Sequence, residues 1–509
     1  MATIGETLRS TARRVPDREA LVFGDRRYSY AELDAQVDRV AGALAAQGVS
    51  QGDRLALMAT NSDRFVIAFY ATHRLGAIFV PINPGSAPPE LDYLLRDSGA
   101  TALVFDAAVA PTVRKAVTNG LPEALHTFAL SELEGFSDLF ALAEAYTGPR
   151  VDVAVHESDD AQILYTSGTT GSPKGALFDH HRALWVGVGV MATGGLRDGD
   201  RILHVAPLYH AAELCMLIIP GTLVGATHVV LGGFDPVAVV TTMENERITT
   251  FFGVPTMYQF LLRTPDLAQR RLSAWRTGIF GAAPMPASTV EQLVAALPNV
   301  EFMQACGQTE AGPNGIFSNH EQVRARPDAS GGQAIPMMEC RIVDPDGRDI
   351  GPGEVGELVL RGESVMKRYW NKPDATAETI RNGWLHTGDL ARLDADGYMT
   401  LVDRLKDMII TGGRNVYSVE VENAIAAHPD ILDTAVIART HTEYGESIVA
   451  VAVVQEGAAL TLEALREFCA ERIAHYKLPH DLVITEQIPR NLSGKILKRA
   501  LREQFSTSS

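Results

Sequence analysis

The stretch Tyr165-Thr-Ser-Gly-Thr-Thr-Gly-Ser-Pro-Lys-Gly-Ala176 constrains this chain more than any other. Glycines adopt positive φ and let a backbone approach an anion closely. Successive free N–H groups in such a turn form a concave anion site. Thr166, Ser167, Thr169, Thr170 and Ser172 add hydroxyl donors around Gly168 and Gly171, and Lys174 adds a charge. A flexible Gly/Ser linker needs neither that lysine nor so many threonines. The residues before the loop, Ala161 to Tyr165, read as a strand, and Ala-Leu-Phe-Asp follows Gly175. The loop is therefore expected to join two strands, to hold phosphate and to be free to close over a nucleotide.

This pattern departs from a Walker phosphate loop, in which Gly-Lys-Ser/Thr leads at once into a helix. Here no helix N-terminus is expected behind the phosphate.

At 509 residues the chain is too long for one ordinary core, so two or more domains are expected. A hydrophobic content of 46% with 21% charged residues is that of an ordinary globular protein. The net charge of −17 argues against a nucleic-acid partner, which wants a basic face. ATP needs only a local positive site and is not excluded. Cys215, Cys306, Cys340 and Cys469 have no metal-ligand spacing and read as reduced thiols of a cytoplasmic protein. Leu214 to Phe234 carries no Asp, Glu, Lys or Arg, but Pro220, Gly221, Gly225 and His228 interrupt it. A buried helix running into a strand at Thr227 to Leu231 is expected there, and no membrane span. A homodimer is left open.

Helix and strand alternate from the start, which predicts an α/β sheet. Helices are expected over Ile4 to Arg14, Ser29 to Gln47 and Phe65 to Leu75, and strands at Arg54 to Met58, Ala77 to Pro81 and Ala102 to Phe105. After Gly331 the texture changes: Pro345-Asp-Gly347 and Asp394-Ala-Asp-Gly397 mark hairpins. A small β-rich subdomain is expected over about 332–404, completing an N-terminal domain of 1–404. From 405 to 509 a small α/β unit follows, with a helix at Val419 to Ala427, strands at Thr434 to Ile437 and Ile448 to Val454, a helix at Leu462 to Ala474 and a strand at Leu482 to Thr485.

The loop, with Gln308-Thr-Glu-Ala-Gly312, Thr387-Gly-Asp389, Val402-Asp-Arg-Leu-Lys-Asp407 and Pro489-Arg-Asn-Leu-Ser-Gly-Lys-Ile-Leu-Lys-Arg499, resembles the adenylate-forming enzymes over nearly the whole chain and in the right order. That superfamily includes acyl-CoA synthetases, aryl-CoA ligases, luciferases and peptide-synthetase adenylation domains. The resemblance implies ATP, Mg²⁺ and coenzyme A as reaction partners of a small carboxylic acid. It gives Lys495, Thr309 and His210 catalytic roles, with Lys495 offsetting charge during adenylation and Thr309 on the α-phosphate. It places Mg²⁺ on Glu310 and Thr170, the ribose on Asp389 and Arg404, and a hinge at Lys406. Gly412 and Gly413 would line a pantetheine channel, and Tyr444, Tyr476 and Lys477 would meet the CoA nucleotide. Bland alternatives stand beside these: a helix-capping Thr309-Glu310 pair, a turn aspartate at 389, a structural histidine at 210 and a basic helix start at 495.

By the same resemblance His210, Ala212, Glu213, Gly281, Cys306, Gly307 and Asn314 border the acyl pocket. Cys306 stands where the family usually has an adenine-stacking aromatic, and Arg368 where it usually has glycine. A buried carboxylate is costly unless paired. Glu213 therefore finds an arginine or histidine, bonds its own helix start, or meets a donor on the substrate. The expected activity is an ATP-dependent acyl-CoA ligase for an aryl, cinnamate-like or fatty acid. The alternatives are transfer to an acceptor other than CoA, a peptide-synthetase-type domain, and a non-catalytic nucleotide-binding protein. Peptide-synthetase domains carry an aspartate near the position of His210, which this chain lacks.

Overall fold

The structure is a computed structural model that describes residues 3–120, 125–166, 172–327, 329–490 and 496–505. Its elements start and stop where local chemistry dictates. Ser29 and Glu32 form a reciprocal capping box at the head of the helix Tyr30–Ala46. Asp179 caps the helix His180–Gly194 through the Arg182 amide, and Gly195 ends it at φ +64°.

Among the described residues the strands form three sheets. In the largest, Thr227–Val230, Arg201–His204, Thr250–Gly253, Thr277–Gly281 and Glu301–Cys306 run parallel. Their carboxyl ends share one edge. The segments that leave that edge contain His210, Val254, Ala282 and Gly307. Crevices outside the carboxyl ends of parallel strands are where open α/β sheets bind ligands. The second sheet holds Asp160–Thr166 and Lys174–Asp179 as an antiparallel pair, beside the parallel strands Ile78–Ile82, Arg54–Met58 and Ala102–Phe105. The third holds Ile409–Thr411, Arg414–Val416, Ile431–His441, Gly445–Val454 and Asp481–Ile484.

Two expectations are refined and one hairpin is added. The β-rich segment is present, but as an extension of the largest sheet: Gly331–Ala334 pairs with Met399–Arg404 on one side and Ile316–Ser318 on the other. A Cβ on Gly331 would overlap the Met399 carbonyl, so only glycine lets these strands close up. The helix expected over Leu462 to Ala474 stops at Ala470, and the chain turns into a short helix at His475–Lys477, where Lys477 binds Glu420 at 2.6 Å. That tertiary contact leaves no mark on periodicity. The hairpin Glu19–Phe23 with Arg26–Ser29, not anticipated, extends the largest sheet beside Thr227–Val230. Leu214–Ile218 forms a buried π-turn running into the helix Ile219–Val224, and no described helix is long and apolar enough to cross a membrane.

One buried ion cluster ties the first helices together. Arg74, its side chain 3% exposed, meets Asp34 and Asp38 at 2.6 Å each, while Arg150 closes over the same carboxylates from a half-exposed position. Removing the buried partner leaves two carboxylates short of compensation, which costs about 3 kcal/mol or more; removing an exposed one costs under about 1 kcal/mol. Arg74→Met is therefore expected to lower the urea midpoint of the first transition far more than Arg150→Met. Equal losses would mean that the two arginines share the cluster evenly.

Candidate active site

The phosphate-loop segment is held at both ends. Thr166 and Lys174 are register partners, with Thr166 Oγ1 lying 3.4 Å from the Lys174 carbonyl. Ser167, Gly168, Thr169, Thr170 and Gly171 lie outside the described residues. The helix Pro88–Ser98 clamps the base: Tyr93 Oη donates to the Pro173 carbonyl at 2.9 Å, and Asp97 takes Tyr165 Oη at 2.8 Å and Lys372 Nζ at 2.7 Å. A Cβ on Gly175 would overlap Ile163, so that glycine serves strand packing.

Glu310 sits in the short 3₁₀ turn Thr309–Ala311, 8% exposed. Its Oε1 accepts from Thr166 Oγ1 at 3.1 Å and from Tyr369 Oη at 2.8 Å. The Lys174 ammonium lies 5.2 Å from the Tyr369 ring centroid. The loop, the Glu310 turn and the strand Arg368–Tyr369 thus converge. The residue ahead of the Glu310 turn, Gln308, makes no side-chain cap bond, so the helix-capping alternative has no support here. Tyr369 was not singled out from sequence; its mark is only that it neighbours the unusual Arg368. That residue now has an account. Lys367 and Arg368 reach Asp160 at 2.6 and 3.6 Å, tying their strand to the start of the loop's first strand.

Asp389 and Arg404 face each other across paired strands, with Arg404 Nε 3.3 Å from Asp389 Oδ1. Cys306 shares that neighbourhood. Burial, reinforced by the Asp389 charge, pushes its thiol pKa up to about 12, so it is a neutral group where a ring was expected. Gly281 and Gly307 have structural reasons to be glycine. A Cβ on Gly281 would overlap the Ala305 carbonyl, and one on Gly307 would sit 2.8 Å from the Pro313 carbonyl. Ala282, just after Gly281, holds φ +68°, a conformation costing an L-residue about 1–2 kcal/mol. Strain of this kind gathers at functional sites.

On the acyl side, His210 precedes the short helix Ala211–Glu213. Its Nε2 is buried without a hydrogen bond, and burial pulls its pKa down to about 4, so the ring is neutral. Ala212 is half-buried beside it. Glu213 is fully buried and has found a histidine: Oε2 lies 2.7 Å from His204 Nδ1. It does not bond its own helix start. Glu213 Oε1 and both amide atoms of Asn314 are buried with no partner. His204 carried no sequence signal beyond being polar at the end of an apolar strand.

In the C-terminal sheet, Gly412 and Gly413 are the two central residues of the tight turn between Ile409–Thr411 and Arg414–Val416, at φ +56° and +75°. Both positive angles are what a two-residue hairpin of this twist demands, so the glycines are needed whether or not a thin substituent passes. The Gly412 amide donates to the Tyr444 carbonyl at 2.9 Å, placing Tyr444 beside the turn. Lys477 is engaged with Glu420 at 2.6 Å, and the guanidinium over Tyr476, 4.9 Å from its centroid, belongs to Arg414, which was not singled out. Lys406 is exposed in the turn after Arg404, where the Asp407 amide donates to the Arg404 carbonyl. Lys495 lies outside the described residues.

A hydrogen bond to a charged group is worth about 1.5–3 kcal/mol. Tyr369→Phe, which removes one of two hydroxyls from Glu310, is therefore expected to slow ATP–pyrophosphate exchange about tenfold or more. Unchanged exchange would show that the Tyr369 hydroxyl does not position Glu310.

Family profiles agree with this geometry. The profile of AMP-binding enzymes matches residues 8–370, and that of the AMP-binding enzyme C-terminal domain matches residues 420–495. The chain is 38% identical to a feruloyl-CoA synthase of Amycolatopsis sp, covering 97% of each. It is 34% identical to the long-chain-fatty-acid–CoA ligase FadD13 of Mycobacterium tuberculosis, over 100% of this chain and 99% of that one. A solved structure of the anthranilate CoA ligase AuaEII in complex with anthranoyl-AMP superposes with a TM-score of 0.91 at 27% identity, covering 99% of this chain and 97% of the other. The chain belongs to the AMP-binding enzymes, in their acyl-CoA synthetase branch.

Proposed function

We propose that the acid activated by this ATP-dependent acyl-CoA ligase is an aryl or cinnamate-like acid bearing a hydroxyl or amino substituent. The observation that carries the reading is the set of buried, unpartnered polar atoms at Glu213 and Asn314. A straight alkyl chain would leave each of them unsatisfied, at about 1–3 kcal/mol per group. A substituent with a donor and an acceptor satisfies them. The relatives that take ferulate and anthranilate, by their names, support an aryl acid, while the fatty-acid relative supports the alternative.

In this reading the acid's carboxylate attacks the α-phosphorus of ATP and pyrophosphate leaves; the CoA thiol then attacks the acyl carbon and AMP leaves. The loop from Thr166 to Lys174 cradles the phosphates, Thr309 donates to the α-phosphate and Asp389 with Arg404 holds the ribose. Neutral His210 borders the reacting carboxylate without adding charge. Lys495 offsets charge as the phosphorus is attacked. Mg²⁺ fits Glu310, because this ion takes one or two carboxylates and fills its remaining positions from phosphates and water. Glu310 would hold it, with Thr170 as a second group. Both hydroxyl donors fall on Oε1. No cluster of three or more His, Cys, Asp or Glu side chains among the described residues offers a richer site. When bound, the ion neutralises phosphate charge. All four cysteines are free thiols, which supports a cytoplasmic setting.

The domains in this reading are 1–404 and 405–509, with Lys406 as hinge. The support is the exposed turn between the last strand of the largest sheet, Met399–Arg404, and the first of the C-terminal sheet, Ile409–Thr411. Asp403 bonds Ser418 across that turn. Proline at 406 would fix φ in a segment that must turn.

Two measurements test the reading. ATP–pyrophosphate exchange over a panel of acids, with and without CoA, is expected to favour hydroxy- or amino-aryl acids; a straight-chain fatty acid as best substrate would overturn the pocket assignment. Lys495→Ala is expected to abolish adenylate formation while largely sparing thioester formation from a supplied acyl-adenylate, and Lys406→Pro to do the reverse. Loss of both half-reactions together in a folded Lys495→Ala protein would overturn the separated roles.

A further inference from the structure

Glu213 is the end of a buried chain that the reaction does not explain. Its Oε2 lies 2.7 Å from His204 Nδ1; His204 Nε2 lies 2.9 Å from His228 Nδ1; His228 Nε2 lies 3.0 Å from Thr222 Oγ1, which also accepts from Tyr70 Oη at 2.7 Å. All five residues are 0–1% exposed. They come from two strands and three helices of the N-terminal unit: His204 and His228 from adjacent parallel strands, Glu213 from the helix Ala211–Glu213, Thr222 from the helix Ile219–Val224 and Tyr70 from the helix Asp63–Arg74. No lysine or arginine takes part.

With both rings neutral two arrangements remain; a third, with the Glu213 proton moved to His204, fits the same distances but buries two charges away from water, which is costly. The His204–His228 contact holds one proton between two ring nitrogens, since each neutral ring carries one N–H. In the first, Glu213 is a carboxylic acid and Oε2–H donates to His204 Nδ1. His204 Nε2–H then donates to His228 Nδ1, and His228 Nε2–H to Thr222 Oγ1. In the second, Glu213 is ionised and every proton from Glu213 to Thr222 points the other way, while Tyr70 still donates to Thr222. The second buries a carboxylate with no cation at hand, which is costly. Burial pulls His204 down to about 3 and His228 well below its ordinary value, so neither ring supplies a charge. It also drives Glu213 well up; the nearby Ala206 amide opposes this without hydrogen-bonding Oε1.

We propose that the His204–His228–Thr222–Tyr70 chain holds Glu213 as a neutral acid whose Oε1 is a fixed hydrogen-bond acceptor for an uncharged donor on the bound acid. The chain then selects a phenolic hydroxyl or an aryl amine, because an anionic substituent meets a bare acceptor and an unsubstituted ring leaves Oε1 unpaired. His204 is a positioning residue: it touches no substrate and acts by setting which face of the Glu213 carboxyl is the acceptor. This rests on the acyl-pocket reading above and names the chemistry of its polar contact.

Glutamine copies the neutral acid, with an N–H for His204 Nδ1 and a carbonyl in place of Oε1. The kcat/KM ratio of a hydroxylated to an unsubstituted cinnamate-like acid is the readout. In E213Q this ratio is expected to stay within about threefold of wild type, and in E213A to fall about tenfold or more. His204→Phe is expected to raise KM for the hydroxylated acid alone, leaving kcat and the unsubstituted acid's KM in place. An infrared difference spectrum of wild type minus E213Q at neutral pH is expected to contain the C=O stretch of a protonated carboxyl, a readout independent of turnover. A carboxylate band instead, or an E213Q enzyme whose preference swings to acceptor-only substituents such as methoxy, overturns the neutral-acid arrangement. An unchanged ratio in E213A overturns this inference while the aryl-acid reading stands if wild type still prefers aryl acids. A wild-type preference for straight-chain fatty acids overturns both.

Discussion

The antiparallel pairing of Asp160–Thr166 with Lys174–Asp179 is the constraint on which the rest of the site depends. It brings the two ends of a glycine- and threonine-rich loop together at Thr166 and Lys174. Its second strand then pairs with Arg368–Tyr369, which delivers the Tyr369 hydroxyl to Glu310. Thr166 binds the same carboxylate oxygen from the other side. One pair of strands therefore sets three parts that lie far apart in the chain, and it works only because Gly175 lets the first strand's Ile163 pack where a Cβ would sit.

Around that pair, charge is distributed by how deeply each group lies. Glu310 keeps an oxygen pinned by two neutral hydroxyls, an arrangement that orients a carboxylate without neutralising it. Asp389 and Arg404 face each other at a part-exposed strand pairing. Burial pulls His210 down and Cys306 up, so both are neutral, and it pushes the Glu213 carboxyl well above the usual carboxylate range. A site built this way keeps its charges at Glu310 and the Asp389–Arg404 pair and presents uncharged groups at His210 and Cys306.

Several residues prominent in the sequence serve the backbone more than a ligand. Gly412 and Gly413 supply the two left-handed residues of a hairpin turn, Gly281 and Gly307 allow close approach of neighbouring carbonyls, and Lys477 is engaged with Glu420. These facts do not remove the residues from a binding surface. They mean that substituting them tests folding and binding at once, whereas Lys406, exposed in its turn, can be changed at less structural cost.

The sequence by itself determined the α/β class, the strand-loop-strand setting of the phosphate loop, and the order of the motifs that mark the family. Those features are local: turn residues need particular φ angles, apolar periodicity sets helix or strand, and a hydroxyl-rich loop with one lysine suits phosphate. Only the tertiary structure decided which of the scattered polar residues meet. Tyr369 on Glu310, Arg368 on Asp160 and His204 on Glu213 are contacts between segments 59, 208 and 9 positions apart in the numbering. No spacing rule encodes such contacts, because they arise from how two sheets stack and which strands become neighbours. The partner of Glu213 shows the difference most plainly. The sequence could say that a buried carboxylate needs a partner. It took the pairing of Arg201–His204 with Thr227–Val230 to align two histidines behind it.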